Sequence, residues 1–377
     1  MNNNINQNDD FFMNRALELA LKGNGRTSPN PMSGAVVVKD GEIVGEGFHT
    51  EVGMPHAEIY ALEAAGHNSQ GATLYLTIEP CTHHGRTPPC VGKVIESGVK
   101  RVVIAMKDPN SITAGKGILE LKDAGLEVVV GVKEEDAKHL NEIFIKYIIT
   151  KRPFVTMLVA MTLDGKIATT IGDSHWITCE ETRNHVHQLR SCYDAIMVGI
   201  NTVFQDNPQL DCKMKGGKDP LRIILDSKAR TPLDSKIFFK SSDNDLRANV
   251  IIAVSQRANT ERIKAIQQAG AEIILCSEED EDMHSQVNLK KLITILGKRG
   301  VTSILMESGG ILNASALKAG IVDKIVFFIG PKIIGGKTAG TPVDGEGIAL
   351  MAGALPVYNW KWQQIGTDLM IEGYIQP

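Results

Sequence analysis

The sequence predicts an α/β protein of two domains, the first a three-layer α/β/α sandwich on a mixed sheet. Three observations carry this. A hairpin-like stretch, GAVVVKDGEIVGEG (34–47), is followed by alternating helical and strand-like runs, the pattern of a sheet covered on both faces. After Lys151-Arg152-Pro153 the alternation starts again with a new set of apolar strands. At 377 residues the chain is also long enough for two domains of ordinary size.

In chain order, residues 11–22 (FFMNRALELALK) read as a helix, with Asp9-Asp10 before it and Gly23 after it as capping residues. The hairpin turns on Asp40-Gly41, a type I′ signal. Residues 57–65 (AEIYALEAA) follow as a helix and 72–78 as a strand. A helix at 90–97, a strand at 101–105, a helix at 116–124 and a strand at 126–130 complete the first half. In the second half, strands are expected at 154–161, 193–200, 221–226, 249–255, 272–276, 303–307, 324–330 and 368–375. Helices are expected at 180–190, 258–269, 287–299 and 311–319. The acidic stretch 278–286 (EEDEDMHSQ) reads as a solvated loop.

Composition narrows the function classes. The opening MNNNINQNDD has neither a cationic nor an apolar region, so it reads as a polar tail and not a signal peptide. No apolar run approaches the roughly 18 residues of a membrane helix. Six cysteines without paired spacing make no disulfide framework, and the cytoplasm is the expected compartment. Residues 1–150 hold 14 Lys+Arg against 19 Asp+Glu, whereas the remainder holds 26 against 25. Nucleic-acid affinity rests on neutralised phosphates, so an acidic first half argues for a small substrate.

The chemistry is concentrated in His56-Ala57-Glu58, then Pro80-Cys81, then Cys90. One imidazole and two thiolates hold zinc with a fourth position open to water, the catalytic arrangement. The metal lowers the pKa of that water to about 7. An unligated carboxylate, Glu58, then carries the proton from water to a leaving amine. The order matches the nucleobase-deaminase signature, except that eight residues separate Cys81 from Cys90. Cys90 and His56 fall at expected helix starts, where the helix dipole favours thiolate. His83, between the two cysteines, is expected to line the substrate entrance. Asn30, in Ser28-Pro29-Asn30-Pro31, either makes a turn or fixes a polar edge of the substrate.

In the second half no GxGxxG follows a strand and opens a helix, so an ordinary Rossmann site is unsupported. GGKTAG (335–340) lacks the spacing and reads as a loop. Glu307-Ser308-Gly309-Gly310 ends one strand and opens a helix, where backbone N–H groups can approach a phosphate or simply make a tight turn. Ser227, Lys228 and Arg230 follow another strand end, either as a 2′-phosphate site or as a basic turn.

Taken together, the chain resembles the bifunctional riboflavin-biosynthesis deaminase–reductases over nearly its whole length. The residues that carry this are PCTHHGRTPPC (80–90), TSPNPMSGAVVV, HAE, TLDGKIAT (162–169), GDSHWIT (172–178), GINTVFQDNPQL (199–210) and MESGG (306–310). The resemblance implies a cytidine-deaminase-like zinc domain at 1–150 and a dihydrofolate-reductase-like domain using NADPH at 151–377. It implies hydrolysis of the 2-amino group of 2,5-diamino-6-ribosylamino-4(3H)-pyrimidinone 5′-phosphate, then hydride reduction of the ribosyl C1′. It also implies no nucleic-acid or membrane partner, and a homo-oligomer is expected.

By position, His56, Cys81 and Cys90 match zinc ligands and Glu58 the proton shuttle. Ala160, Trp176, Thr202, Asp206, Ser227, Gly309 and Gly310 match cofactor positions. Ser174, Arg190, Leu210 and Glu307 match substrate positions, with Asn30 and His83 in the first half. The Arg190 fork is expected to take the substrate phosphate bidentately. Two departures stand out. Lys213 replaces the usual arginine, keeping the charge and losing the fork. Leu158 stands where the family often has a lysine, which leaves Lys166 as a candidate substitute. A deaminase of free bases with a silent second domain, or an RNA-editing protein, are the competing readings.

Overall fold

The computed structural model describes residues 7–82, 89–111, 113–240, 243–277 and 286–375. The chain divides into two compact units, Met1–Lys151 and Arg152–Pro377.

The first unit runs α1 (Gln7–Leu21), β1 (Gly34–Lys39), β2 (Glu42–Phe48), α2 (Ala57–Ala65), β3 (Thr73–Ile78), α3 (Cys90–Glu96), β4 (Arg101–Met106), α4 (Lys116–Asp123), β5 (Glu127–Val130), α5 (Glu134–Leu140) and α6 (Glu142–Thr150). Its five strands are ordered β2-β1-β3-β4-β5. β1 pairs antiparallel with β2 and β3, while β3, β4 and β5 run parallel. Alternation along each strand divides the core in two. Val36, Val38, Tyr75 and Val103 face α1, whereas Ala35, Val37, Leu74 and Ile104 pack with α2, α3 and α4.

The helix begins at Gln7, earlier than the polar opening suggests, and Asp9 is not its cap. Asp9 is buried and accepts two bonds from Arg101, at 2.8 and 2.9 Å, and one from the Tyr75 hydroxyl at 2.9 Å. A paired, fully bonded buried carboxylate extends the helix into what otherwise reads as a tail.

The second unit contains β6 (Phe154–Thr162), α7 (Glu180–Cys192), β7 (Ala195–Gly199), α8 (Ile200–Asp206), β8 (Leu221–Leu225), β9 (Phe239–Lys240), β10 (Asp243–Arg247), β11 (Val250–Val254) and α9 (Thr260–Gln268). It continues with β12 (Glu272–Leu275), α10 (Leu289–Lys298), β13 (Ser303–Glu307), α11 (Gly310–Lys318), β14 (Lys324–Gly330), β15 (Tyr358–Ile365) and β16 (Asp368–Tyr374). Nine strands form one sheet ordered β12-β11-β8-β7-β13-β6-β14-β16-β15. Pairing is parallel from β12 to β14 and antiparallel at β16 and β15. GGKTAG lies in the long irregular stretch after β14, as a loop.

One packing constraint in the first unit sets up the chemistry. A Cβ on Gly45 would lie 2.2 Å from the Ala61 carbonyl oxygen, and one on Gly47 would lie 2.3 Å from that of Ala57. Glycines on β2 and alanines on α2 therefore let the helix backbone lie directly on the strand. That seat fixes the start of α2, where His56 and Glu58 sit. Gly47→Ala meets backbone atoms that cannot swing aside, so it should cost the first unit about 3 kcal/mol. Urea unfolding followed by a probe in that unit checks this; an unchanged midpoint would show that the helix can simply slide away.

Candidate functional site

Three elements converge at the carboxyl ends of β3 and β4. His56 occupies the N-cap position of α2 with extended backbone angles, and Glu58 lies in the first turn, 5% exposed. Two residues apart, these side chains would diverge in mid-helix; at the cap both turn inward. Cys81 lies three residues beyond β3, and Cys90 opens α3. The two cysteines are tied by backbone, since the amides of Cys90 and Val91 donate to the Cys81 carbonyl at 3.1 and 3.2 Å.

The His56 Nδ1 lies 3.6 Å from Cys81 Sγ and 3.3 Å from Cys90 Sγ, and all three ligand atoms fall within 4.8 Å of one another. Zinc with ordinary bond lengths in a tetrahedral site would hold nitrogen and sulfur about 3.5 Å apart. The donor set and its spacing fit that ion. A hydrogen bond from Cys90, opposed by burial and helped by His56, pulls the Cys81 thiol down to about 4. The same contact, with burial, pushes Cys90 up. Thiols this close to one another and to an imidazole are a set that a divalent cation would hold as thiolates. His56 is raised, first by its contact with Cys81. Burial raises Glu58, against the pull of His56, which favours a carboxyl that holds and returns a proton.

Asn30 reaches this cluster through a residue the sequence did not single out. Its Nδ2 lies 3.2 Å from His49 Nε2, and the His49 ring stands edge-on to His56, centroids 5.1 Å apart. His49 Nδ1 lies 3.1 Å from the Pro55 carbonyl oxygen and must donate to it, which leaves Nε2 to accept from Asn30. Burial lowers the His49 pKa, in keeping with that neutral tautomer. Asn141 secures the next residues, accepting from the Met32 amide at 2.8 Å and donating to its carbonyl at 3.0 Å. His49 carried no signal because a single histidine outside any spacing pattern looks like many others. His83 lies outside the described residues.

In the second unit, the positions singled out gather at the carboxyl ends of parallel strands, where open α/β sheets bind ligands. Ala160 lies near the end of β6, Ser227 follows β8, and Thr202 and Asp206 lie on α8 after β7. Glu307 ends β13, and Gly309 is the N-cap of α11. The two glycines differ. A Cβ on Gly310 would meet the Thr341 carbonyl at 2.4 Å and the Asp344 carboxylate at 2.5 Å, whereas one on Gly309 meets nothing closer than Ile167 at 4.0 Å. Gly310 is thus required by packing, while Gly309 leaves open space beside the α11 N-terminus.

Trp176 is 61% exposed, with the Arg183 guanidinium 4.4 Å from its ring centroid and the Lys332 ammonium bonded to its carbonyl. Ser174 lies in the same loop. Asp226, buried ahead of Ser227, accepts from the Thr231 amide and hydroxyl at 2.7 and 2.8 Å and shapes the turn that carries Lys228 and Arg230. Arg230 in turn lies 5.5 Å from the Phe204 ring centroid on α8, between Thr202 and Asp206. Lys166 belongs to a turn strapped by Asp164, which accepts from the amides of Ile334 and Gly335.

Two placements, those of Arg190 and Leu210, differ from the sequence expectation in kind, while Lys213 keeps the exposed charge expected of it. Arg190 does not present an open fork: its Nε and Nη2 donate to Glu307 at 2.7 and 2.6 Å, and its Nη1 to the Asp211 carbonyl at 3.1 Å. Leu210 is 3% exposed with φ of 57°, and its side chain packs in the core beneath α8 and β8. Lys213 is exposed, and its backbone amide lies 3.4 Å from His187 Nδ1.

The N-terminal part of the chain, residues 6–106, matches the family model for the cytidine and deoxycytidylate deaminase zinc-binding region, and residues 153–371 match that for the RibD C-terminal domain. The riboflavin biosynthesis protein RibD of Actinobacillus pleuropneumoniae is 44% identical, over 96% of this chain and 94% of its own. That of Aquifex aeolicus is 42% identical, over 97% and 98%. Among solved structures, Acinetobacter baumannii RibD superposes with a TM-score of 0.85 at 35% identity, covering 98% of this chain and 99% of that one. A diaminohydroxyphosphoribosylaminopyrimidine deaminase/5-amino-6-(5-phosphoribosylamino)uracil reductase from Thermotoga maritima superposes with a TM-score of 0.81 at 38% identity, over 97% and 98%.

The ion pair gives a direct test of site geometry. Arg190→Gln, Glu307→Gln and the double variant should show a coupling energy of about 1.5 kcal/mol or more in urea unfolding of the second unit. Single effects that add within about 0.5 kcal/mol would mean that the two side chains do not hold one another.

Proposed function

The chain belongs to the RibD family of bifunctional riboflavin-biosynthesis deaminase–reductases, and from that premise we propose which residues carry each of the two reactions. The first reaction hydrolyses the 2-amino group of the phosphorylated diaminopyrimidinone, and the second reduces its ribosyl C1′ with NADPH. Residues 1–150 are assigned the deamination and residues 151–377 the reduction. The observation that carries the first assignment is the His56, Cys81 and Cys90 cluster, whose ligand atoms lie within 4.8 Å beside a buried Glu58.

Zinc held by these three residues supplies the Lewis acidity that makes water nucleophilic at neutral pH. The chain's own work is proton handling and orientation. Glu58 takes a proton from the attacking water on its carboxylate and returns it to the departing amino nitrogen, so that ammonia leaves neutral. Asn30, held by His49, offers its amide to the polar edge of the pyrimidine, and His83 is assigned to the same substrate on the family pattern alone.

In the second unit NADPH supplies the hydride. Gly309 and Gly310 with the α11 N-terminus are assigned the pyrophosphate, and Ser227, with Lys228 and Arg230, the 2′-phosphate. Ala160, Trp176, Thr202 and Asp206 complete the cofactor site, and Ser174, Leu210, Lys213, Arg190 and Glu307 line the substrate. Leu158, the position of the family lysine, stands in register with Glu307, whose cation in this chain is Arg190.

We assign the working form as a homo-oligomer in a reducing, cytoplasmic compartment. The six cysteines are unpaired. Among the described residues no helix is long and apolar enough to cross a membrane. Self-association is supported by β15, the edge of the nine-stranded sheet, where Trp360 and Trp362 are 60% and 64% exposed. An exposed aromatic edge strand of this kind offers unpaired backbone groups that a second copy can pair with across a two-fold axis.

Glu58→Gln should abolish ammonia release from the diaminopyrimidinone ribotide while leaving NADPH-dependent reduction of pre-deaminated substrate intact. Loss of both in a folded variant would overturn the two-site assignment. For assembly, replacing Trp360 and Trp362 by serine should convert the oligomer to monomer in light scattering. A wild-type chain that is already monomeric at tens of micromolar refutes the edge-pairing reading.

A further inference from the structure

One buried carboxylate next to the cysteine ligands has no part in the deamination or the reduction. Glu79 follows β3 directly, precedes Pro80-Cys81, and is 4% exposed. Its Oε2 accepts from the amides of Asp108 at 3.2 Å and Gly115 at 2.9 Å, and its Oε1 from that of Ile118 at 3.2 Å. All three donors belong to the segment that leaves β4 and enters α4.

That segment needs an outside acceptor. Gly115 is the N-cap of α4, with a φ of 78° and no side chain to bond the first amides, so the helix start leaves N–H groups unmet. The Asp108 carboxylate is engaged within its own turn: Oδ1 accepts from the Asn110 amide at 2.8 Å and Oδ2 from the Thr113 hydroxyl at 2.5 Å. Glu79 reaches across from the neighbouring strand and supplies charge-assisted bonds to both ends of the turn. The fit is close on the other side too. A Cβ on Gly117 would lie 2.4 Å from the Pro80 carbonyl oxygen.

Pro80-Cys81 is consequently held from two directions. Glu79 locks the preceding residue to α4, and the Cys81 carbonyl takes the amides of Cys90 and Val91. We propose that Glu79 is a positioning residue of the metal centre, fixing Cys81 Sγ against His56 and Cys90 by clamping the backbone before it to the start of α4. This rests on the zinc reading of the three ligands. Partners that orient metal ligands typically cost about 10–100-fold in metal affinity or activity when removed.

The test uses the full-length zinc-loaded chain with Glu79→Ala and Glu79→Gln. Competition with a chromophoric chelator should show zinc held about 10–100-fold more weakly in E79A. E79Q, which keeps one side-chain oxygen as acceptor, should lie between E79A and wild type. In cobalt-loaded protein the thiolate-to-metal absorption should shift in E79A and return towards wild type in E79Q, while turnover of pre-deaminated substrate stays constant in both. Should E79A fail to fold, a weakened zinc affinity and a shifted band in E79Q would support the same role. Wild-type zinc affinity and an unshifted cobalt spectrum in the folded variants would overturn the role of Glu79. A wild-type chain that binds no zinc would instead overturn the reading of the site itself.

Discussion

The direct contact between β2 and α2 is the constraint from which the deamination centre follows. Gly45 and Gly47 bring the strand against helix carbonyls at a distance that no side chain tolerates. The helix can therefore neither rotate nor slide without opening a gap along Ala57, Ala61 and Ala65, all buried. With α2 pinned, its first turn points His56 and Glu58 at one place. Proton transfer by a positioned carboxyl depends on a heavy-atom separation of about 3 Å, so rigidity at this seam is a catalytic property as much as a stabilising one.

The rest of the centre is organised by side chains that bond backbone. Asn141 holds Met32, His49 spans Asn30 and Pro55, and Glu79 holds the start of α4. Each of these is buried or partly buried, and each satisfies donors or acceptors that loop backbone would otherwise leave unmet. Loops that carry ligands are thus tied to the strands and helices around them. In the second unit the same end is reached by topology: parallel strands deliver their carboxyl ends side by side, and glycines admit the helix starts.

How much of this was legible in the sequence depended on the range of the interaction. The strands β13 and β14 and the helix α2 fall where apolar periodicity placed them, because burial on one or both faces writes itself into local pattern. The zinc cluster was legible because ligand chemistry restricts residue type. Elements held by few apolar residues went unseen: α5 is EEDAKHL, and α8 follows β7 with no intervening loop. β15 went unseen for the opposite reason, since its tryptophans point outward and mark no core. His49, Glu79 and Asp226 act through partners more than ten residues away or through backbone groups, and nothing in local spacing announces such a contact. Asp9 shows the reverse error: its acidic position suggested a cap, while Arg101, 92 residues away, had claimed the carboxylate.

The Arg190–Glu307 pair constrains the substrate end proposed for the reductase. An arginine fork that is free can clasp a phosphate with two parallel bonds. Here the fork already clasps Glu307, both side chains are largely shielded, and a third bond ties Arg190 to the Asp211 carbonyl. Withdrawing the arginine would strand a buried carboxylate, at a cost of about 3–5 kcal/mol. A phosphate can gain that only by displacing one anion with another, which returns little. The arrangement is better suited to fixing the carboxylate than to releasing the guanidinium. Held in this way at the end of β13, the Glu307 carboxylate has a fixed orientation, which on the proposed reading suits it to accept from substrate hydroxyls. On the proposed reading, the exposed Lys213 is the cation left to meet the substrate phosphate, as a single charge and with a looser grip than an open fork provides.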